Sequence, residues 1–162
     1  MLPSALHTAA RRILAAGPWG FVTTTESPVR TRVVQHLEVS DELTITFSTG
    51  PDTRKAQSIR RDPNVIYSAL DSATGSAVAI HGTATLIDDL HERQKLWIDD
   101  LAPFFPNGPT DDGFVLVRIV PNRVEVWSLE DGLTPPPFGL SSMFTDRTEP
   151  GDSWTDPTGT HP

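Results

Sequence analysis

The sequence predicts a mainly β protein, an antiparallel β-barrel with peripheral helices. Three features predict it. Apolar residues alternate with a period of two in six or seven runs, short turns join the first three runs, and helices are inserted between strands without a repeating strand–helix–strand unit. At 162 residues the chain has the size of one domain with a substantial core.

Leu6, Ala9, Ala10, Ile13 and Leu14 have the spacing of a helix with one buried face, capped by Ser4 and stopped by Gly17 and Pro18. From Trp19 the period becomes two. GFVTTT runs to a turn at Glu26, Ser27 and Pro28, RTRVVQHLEV follows, and a turn at Ser40, Asp41 and Glu42 leads into LTITFS. Short turns make these three strands antiparallel neighbours. A short helix spans residues 53–61, Pro63 ends it, and NVIYSAL is a fourth strand. AVAIHGTATLI is a long fifth strand in which Gly82 marks a bulge or tight bend. A further helix is expected over residues 90–101, with Leu90, Trp97, Ile98 and Leu101 on its apolar side. After the polar loop FFPNGPTDDG, FVLVRIVP and RVEVWSL read as a closing hairpin turned at Pro121 and Asn122. Residues 1–130 are thus the barrel domain. Residues 131–162 are a tail that holds 6 of the 15 prolines and is expected to be extended or partly disordered, with Phe138, Met143, Phe144 and Trp154 available to dock.

Composition narrows the function. With 21 acidic against 13 basic side chains the formal charge is −8, which disfavours nonspecific binding to nucleic acid or anionic membranes, so any bound anion needs a local basic cluster. The absence of cysteine excludes disulfides, thiolate zinc sites and thiol nucleophiles, and fits a cytoplasmic protein. No secretory signal follows the basic pair Arg11 and Arg12, and no apolar run has the length of a membrane span. His7, His36, His81, His91 and His161 lack metal-ligand spacing, and no Gly-x-Ser-x-Gly turn marks a hydrolase.

The strongest candidate site is FSTGPDTRKAQSIRRDP, residues 47–63. It joins a strand to a helix and puts Arg54 and Lys55 in the helix's first turn, where unpaired N–H groups and the positive end of the helix also favour a phosphate. The same residues also make an ordinary helix start with solvated cations. Either Asp52 or Thr53 can be the cap, and Asp52 in that role competes with a phosphate.

A strand with paired arginines, a strand ending Ser-Thr, a turn into Arg-Lys and a late strand ending Glu-Val-Trp together resemble the flavin-binding split β-barrels related to pyridoxamine 5'-phosphate oxidase, and above all their general-stress-protein branch. The resemblance covers roughly residues 4–130 and implies a six-stranded antiparallel Greek-key split barrel. It also implies a homodimer that holds one FMN in each of two clefts between subunits. On this likeness Arg54 and Lys55 meet the phosphate, and Ser48, Thr49 and Thr53 lie beside the phosphate or ribityl chain. Arg30, Arg32 and the backbone of Val33 and Val34 line the other side; Trp127 falls near the flavin, on the cofactor or across the dimer seam, and Trp97 either lines the flavin cleft or, as its spacing to Leu90 and Leu101 favours, anchors its helix to the barrel. Gln35 stands where the family carries a basic residue, and Ala77 replaces a flavin-contacting glutamine. SLEDGLTPPP, after Trp127, lacks the arginine and histidine that grip the vitamin substrate, so a true pyridoxamine phosphate oxidase is not expected. The resemblance implies an FMN-dependent oxidoreductase of unknown substrate. The alternatives are a deazaflavin- or haem-binding barrel, or a non-catalytic flavin-binding or protein-interaction module in the stress response.

Overall fold

The computed structural model describes residues 3–134 and 140–159. Helix α1 (Ser4–Ala15) precedes three strands, β1 (Trp19–Thr24), β2 (Arg30–Val39) and β3 (Ile45–Thr49). Then come α2 (Arg54–Arg61), β4 (Asn64–Asp71), β5 (Ser76–Ile87), α3 (Leu90–Lys95), two 3-10 turns and β6 (Val115–Trp127). All pairings are antiparallel, in the order β3-β2-β1-β4-β5-β6, and a further β3–β6 pairing closes the six strands into a barrel. Alternation fixes the inner face. Val22, Phe47, Tyr67, Ile80, Ile119 and Val124 are buried inside, and α1 adds Leu6, Ala10 and Ile13 to the same core.

The helix α1 begins differently from expectation. Pro3 occupies the N-cap position, no side chain caps the helix, and Ser4 lies within it; the fixed φ of proline suits the entry to a helix.

The predicted closing hairpin is instead one continuous strand. Both halves of β6 pair with β5, from Leu116 opposite Ile87 to Trp127 opposite Ala77, and the register shifts between His81 and Gly82 opposite Pro121. A bulge is where a ladder tolerates a proline, which has no N–H to donate. Gly82 belongs there because a Cβ would lie 2.3 Å from the Val120 carbonyl oxygen.

The helix expected over residues 90–101 stops at Lys95, and a separate 3-10 turn spans Asp99–Leu101. Leu96, Trp97 and Ile98 all pack into one cluster with Leu101, Phe114 and Leu116. Three consecutive residues cannot face one side of a helix, because each step rotates by about 100°.

Past the barrel, β7 (Met143–Asp146) pairs with β6, and β8 (Thr158–Gly159) pairs with β7. Trp154 enters the main core at 9 % exposure. Met143 packs against that core, and Phe144 lies under the Arg123 guanidinium at 4.4 Å. Phe138 falls outside the described residues. Among the described residues no helix is long and apolar enough to cross a membrane.

Candidate functional site

The turn from β3 into α2 has a defined cap. Thr53 is the N-cap residue; its Oγ1 accepts the Ala56 N–H at 3.2 Å and lies 3.0 Å from Thr49 Oγ1. Asp52 is exposed and offers its backbone carbonyl to Gln57 Nε2 at 3.0 Å. The capping choice open in the sequence therefore falls to Thr53, and the Asp52 carboxylate is not consumed at the helix start.

Lys55 is half-buried, with Nζ 5.3 Å from the centre of the Phe47 ring. Burial, followed by the nearby Arg32 charge, pushes its ammonium down to about 8. Arg32 comes from β2 and pairs with Val22 on β1. Its Nη1 donates to Thr24 Oγ1 at 2.8 Å, whereas Nη2 is buried without a hydrogen-bond partner among the described residues. Burial lowers the Arg32 pKa first; Arg30 and Arg54 lower it further, against an opposing contribution from Glu26. Arg30, Arg32, Arg54 and Lys55 thus form one electrostatically coupled group. Glu26, the carboxylate that opposes them, is itself engaged, accepting from Ser58 Oγ and lying 3.5 Å from Arg61 Nη2.

The other candidates separate by strand face. Thr49 is buried in register with Val115, whereas Ser48 pairs with Leu116 and points to the opposite face. Val34 is buried, and Val33 is 59 % exposed on the outer face. Trp97 stacks edge-on against Phe114 at 5.4 Å, the anchoring contact that fixes the segment after α3. Trp127 lies on the outer face, opposite Ala77 at the end of β6 away from Val115, and lines a shallow pocket with Phe21 and Leu70. The structure therefore gathers Arg30, Arg32, Thr49, Thr53, Arg54 and Lys55 and leaves Trp127 apart. Sequence reading missed Thr24, Phe47 and Glu26 as neighbours of these cations, since nothing in their local pattern distinguishes them from ordinary strand and turn residues. The acidic stretch after Trp127 is turned inward at Asp131, whose Oδ2 accepts from Arg12 Nη2 at 2.7 Å and from Ser128 Oγ at 2.6 Å.

A closed six-stranded antiparallel barrel with cations at the β3–α2 turn defines the class. Residues 10–139 match the model of the family described as pyridoxamine 5'-phosphate oxidase like, and the chain belongs to that family. Among solved structures, PhzG from Burkholderia lata 383 in complex with tetrahydrophenazine-1-carboxylic acid is similar at TM-score 0.73 and 20% identity, covering 99% of this chain and 94% of that one. A protein related to general stress protein 26, from Clostridium acetobutylicum, has TM-score 0.71 and 13% identity over 79% of this chain and 92% of that one. A pyridoxamine 5'-phosphate oxidase-related, FMN-binding protein from Nostoc punctiforme has TM-score 0.64 and 17% identity over 98% and 94%. No curated protein matches the chain.

Proposed function

We propose that this protein binds FMN with its phosphate on Arg30, Arg32, Arg54 and Lys55, and acts as a flavin-dependent oxidoreductase. One observation carries the reading: among the described residues, Arg32 Nη2 is buried without a partner beside a half-buried ammonium that has no carboxylate on it. Leaving such charges unpaired is unfavourable unless an anion arrives. A phosphate dianion fits this donor set, because guanidinium groups bind phosphate oxygens with charge-assisted hydrogen bonds. Thr49 and Thr53 bring their hydroxyls together at this turn, 3.0 Å apart, and the first turn of α2 carries N–H groups without intrahelical partners, which favours an anion there. When bound, the flavin supplies the redox chemistry, and the chain supplies binding, orientation and charge.

The reading extends to a homodimer. Trp19, Phe21, Val33 and Leu70 are 51 to 62 % exposed on neighbouring strands of one outer face, with Trp127 at its edge. A contiguous apolar face of this kind supports an interface. A two-fold partner would bring its own outer-face residues toward the cation group, the arrangement needed if an indole is to meet the cofactor.

The test is the absorbance spectrum of the purified protein, followed by titration with FMN and fluorescence detection. Flavin bands and saturable quenching are expected, and Arg54→Glu with Lys55→Glu lowers affinity by about a hundredfold, two charge-assisted contacts being lost. A colourless protein that takes up no FMN overturns the reading. The same spectrum separates a deazaflavin or haem occupant from FMN.

A further inference from the structure

The chain has two lysines, in contrasting settings. Lys95 is half-exposed and lies 3.2 Å from the Glu38 carboxylate. Lys55 lies over the Phe47 ring with cationic neighbours, Arg32 from β2 and Arg54 from its own helix, and Arg30 adds a third charge to the group. The acid facing this group, Glu26, is already held by Ser58 and Arg61.

We propose that Lys55 is a site of covalent acylation by acyl phosphates, and that the modification closes the cation group to a cofactor phosphate. The proposal rests on the same reading of these cations as an anion seat that underlies the flavin assignment. An acyl phosphate carries its phosphate directly beside an electrophilic carbonyl. Arg30, Arg32 and Arg54 hold the phosphate, which leaves the carbonyl against the one primary amine of the seat. The unprotonated Nζ attacks the carbonyl carbon and a C–N bond forms. The C–O bond to phosphate breaks, inorganic phosphate leaves with the electron pair, and the proton shed by nitrogen passes to it. Nothing further is oxidised or reduced.

The environment favours the step in two ways. The guanidinium groups concentrate the anionic donor. Burial and the Arg32 charge lower the ammonium toward 8, so the free-amine fraction at neutral pH exceeds that of an ordinary lysine by on the order of a hundredfold. The product is a neutral amide. It removes one of four positive charges and fills the space that a phosphate would enter.

Lys95 is the internal reference for the test. Flavin-free full-length protein is incubated with acetyl phosphate, and acetylation at each lysine is followed by peptide mass spectrometry. Lys55 is expected to react at least tenfold faster than Lys95, excess inorganic phosphate suppresses that difference, and Lys55→Gln, which mimics the amide, weakens FMN binding by at least tenfold. Equal rates at the two lysines, or a Lys55 rate indifferent to phosphate, overturn the proposal. FMN titration of unmodified protein is run separately. Phosphate-protected labelling of Lys55 in a protein that takes no FMN upholds this inference while the flavin reading falls, and FMN binding without preferential labelling does the reverse.

Discussion

Tyr67 Oη lies 2.6 Å from His36 Nδ1, reaching from β4 to β2 across the intervening strand at Gly20. Burial pushes the His36 imidazolium down and the Tyr67 phenol up, so both groups are held neutral and share one hydrogen bond whose donor is set by the imidazole tautomer. Gly20 makes the crossing possible: a Cβ there would lie 2.2 Å from Tyr67 Oη and 2.4 Å from Cζ. Gly20→Ala is therefore expected to destabilise the fold by about 3 kcal/mol, since the fully buried ring has nowhere to move. Urea denaturation measures it, and a midpoint equal to wild type would show that the ring can shift.

The same pair sets an acid limit on stability. His36 titrates below 6.5 in the folded chain and at its ordinary value unfolded, so the unfolded state binds more protons between the two values. Stability is full above about 6.5 and declines as pH falls through that window. His81 is also lowered by burial and contributes in the same direction. Replacing His36 by Asn should flatten part of the decline. Denaturant midpoints at stepped pH for both proteins separate its share from that of His81.

Lys55 makes stability and anion binding respond oppositely to alkali. Its folded value of about 8 lies below the unfolded 10.5, so the unfolded state binds the extra proton between them, and flavin-free stability rises across that interval. Anion affinity falls over the same range, because the deprotonated amine no longer meets a phosphate. FMN titrations from pH 7 to 10 should show weakening above about 8, with proton uptake on binding. Lys55→Met should stabilise the flavin-free protein at pH 7 while weakening FMN affinity, which calorimetry and thermal melts test together.

Trp154 ties the C-terminal segment to the barrel. Its ring is stacked by the Arg147 guanidinium at 4.7 Å, and it is packed into the main core. Trp154→Ala removes a large buried surface and should cost about 3 kcal/mol in urea unfolding. FMN affinity should change less than twofold, because the cation group is formed by β2, β3 and α2. A large loss of affinity with unchanged stability would contradict this separation.

The outer-face apolar residues give a solution test. Phe21→Lys puts a charge on a face where Phe21 lies opposite Val33 and Ser68. Sedimentation velocity should change from dimer to monomer, with FMN affinity reduced alongside. A wild-type protein that sediments as a monomer removes the homodimer from the proposal.

Much of this was readable in one dimension. The period-two runs of GFVTT and LTITF gave strands because alternation is a local property, and Gly82 announced its bulge because a glycine inside a strand has few other uses. The Arg54–Lys55 pair was legible for the same reason: a helix start and its first-turn cations are neighbours in sequence. Where tertiary packing overrode local pattern, the sequence misled. Pro121 looked like a turn until its place opposite the β5 bulge made it part of one strand, and Trp97 looked like a helical stripe until Phe114 drew it and its neighbours onto one cluster.

The sequence alone determined the strand-rich barrel, the family, and the cation-bearing turn at residues 49–55, because periodicity, turn chemistry and short motifs act between residues a few positions apart. Only the tertiary structure decided that Thr53 caps the helix, that Arg32 is left with a buried unpaired Nη2, and that Lys55 lies desolvated over Phe47. Those facts depend on burial and on charges brought together from separate strands. Desolvation and Coulomb interaction act through space, and a linear pattern carries neither.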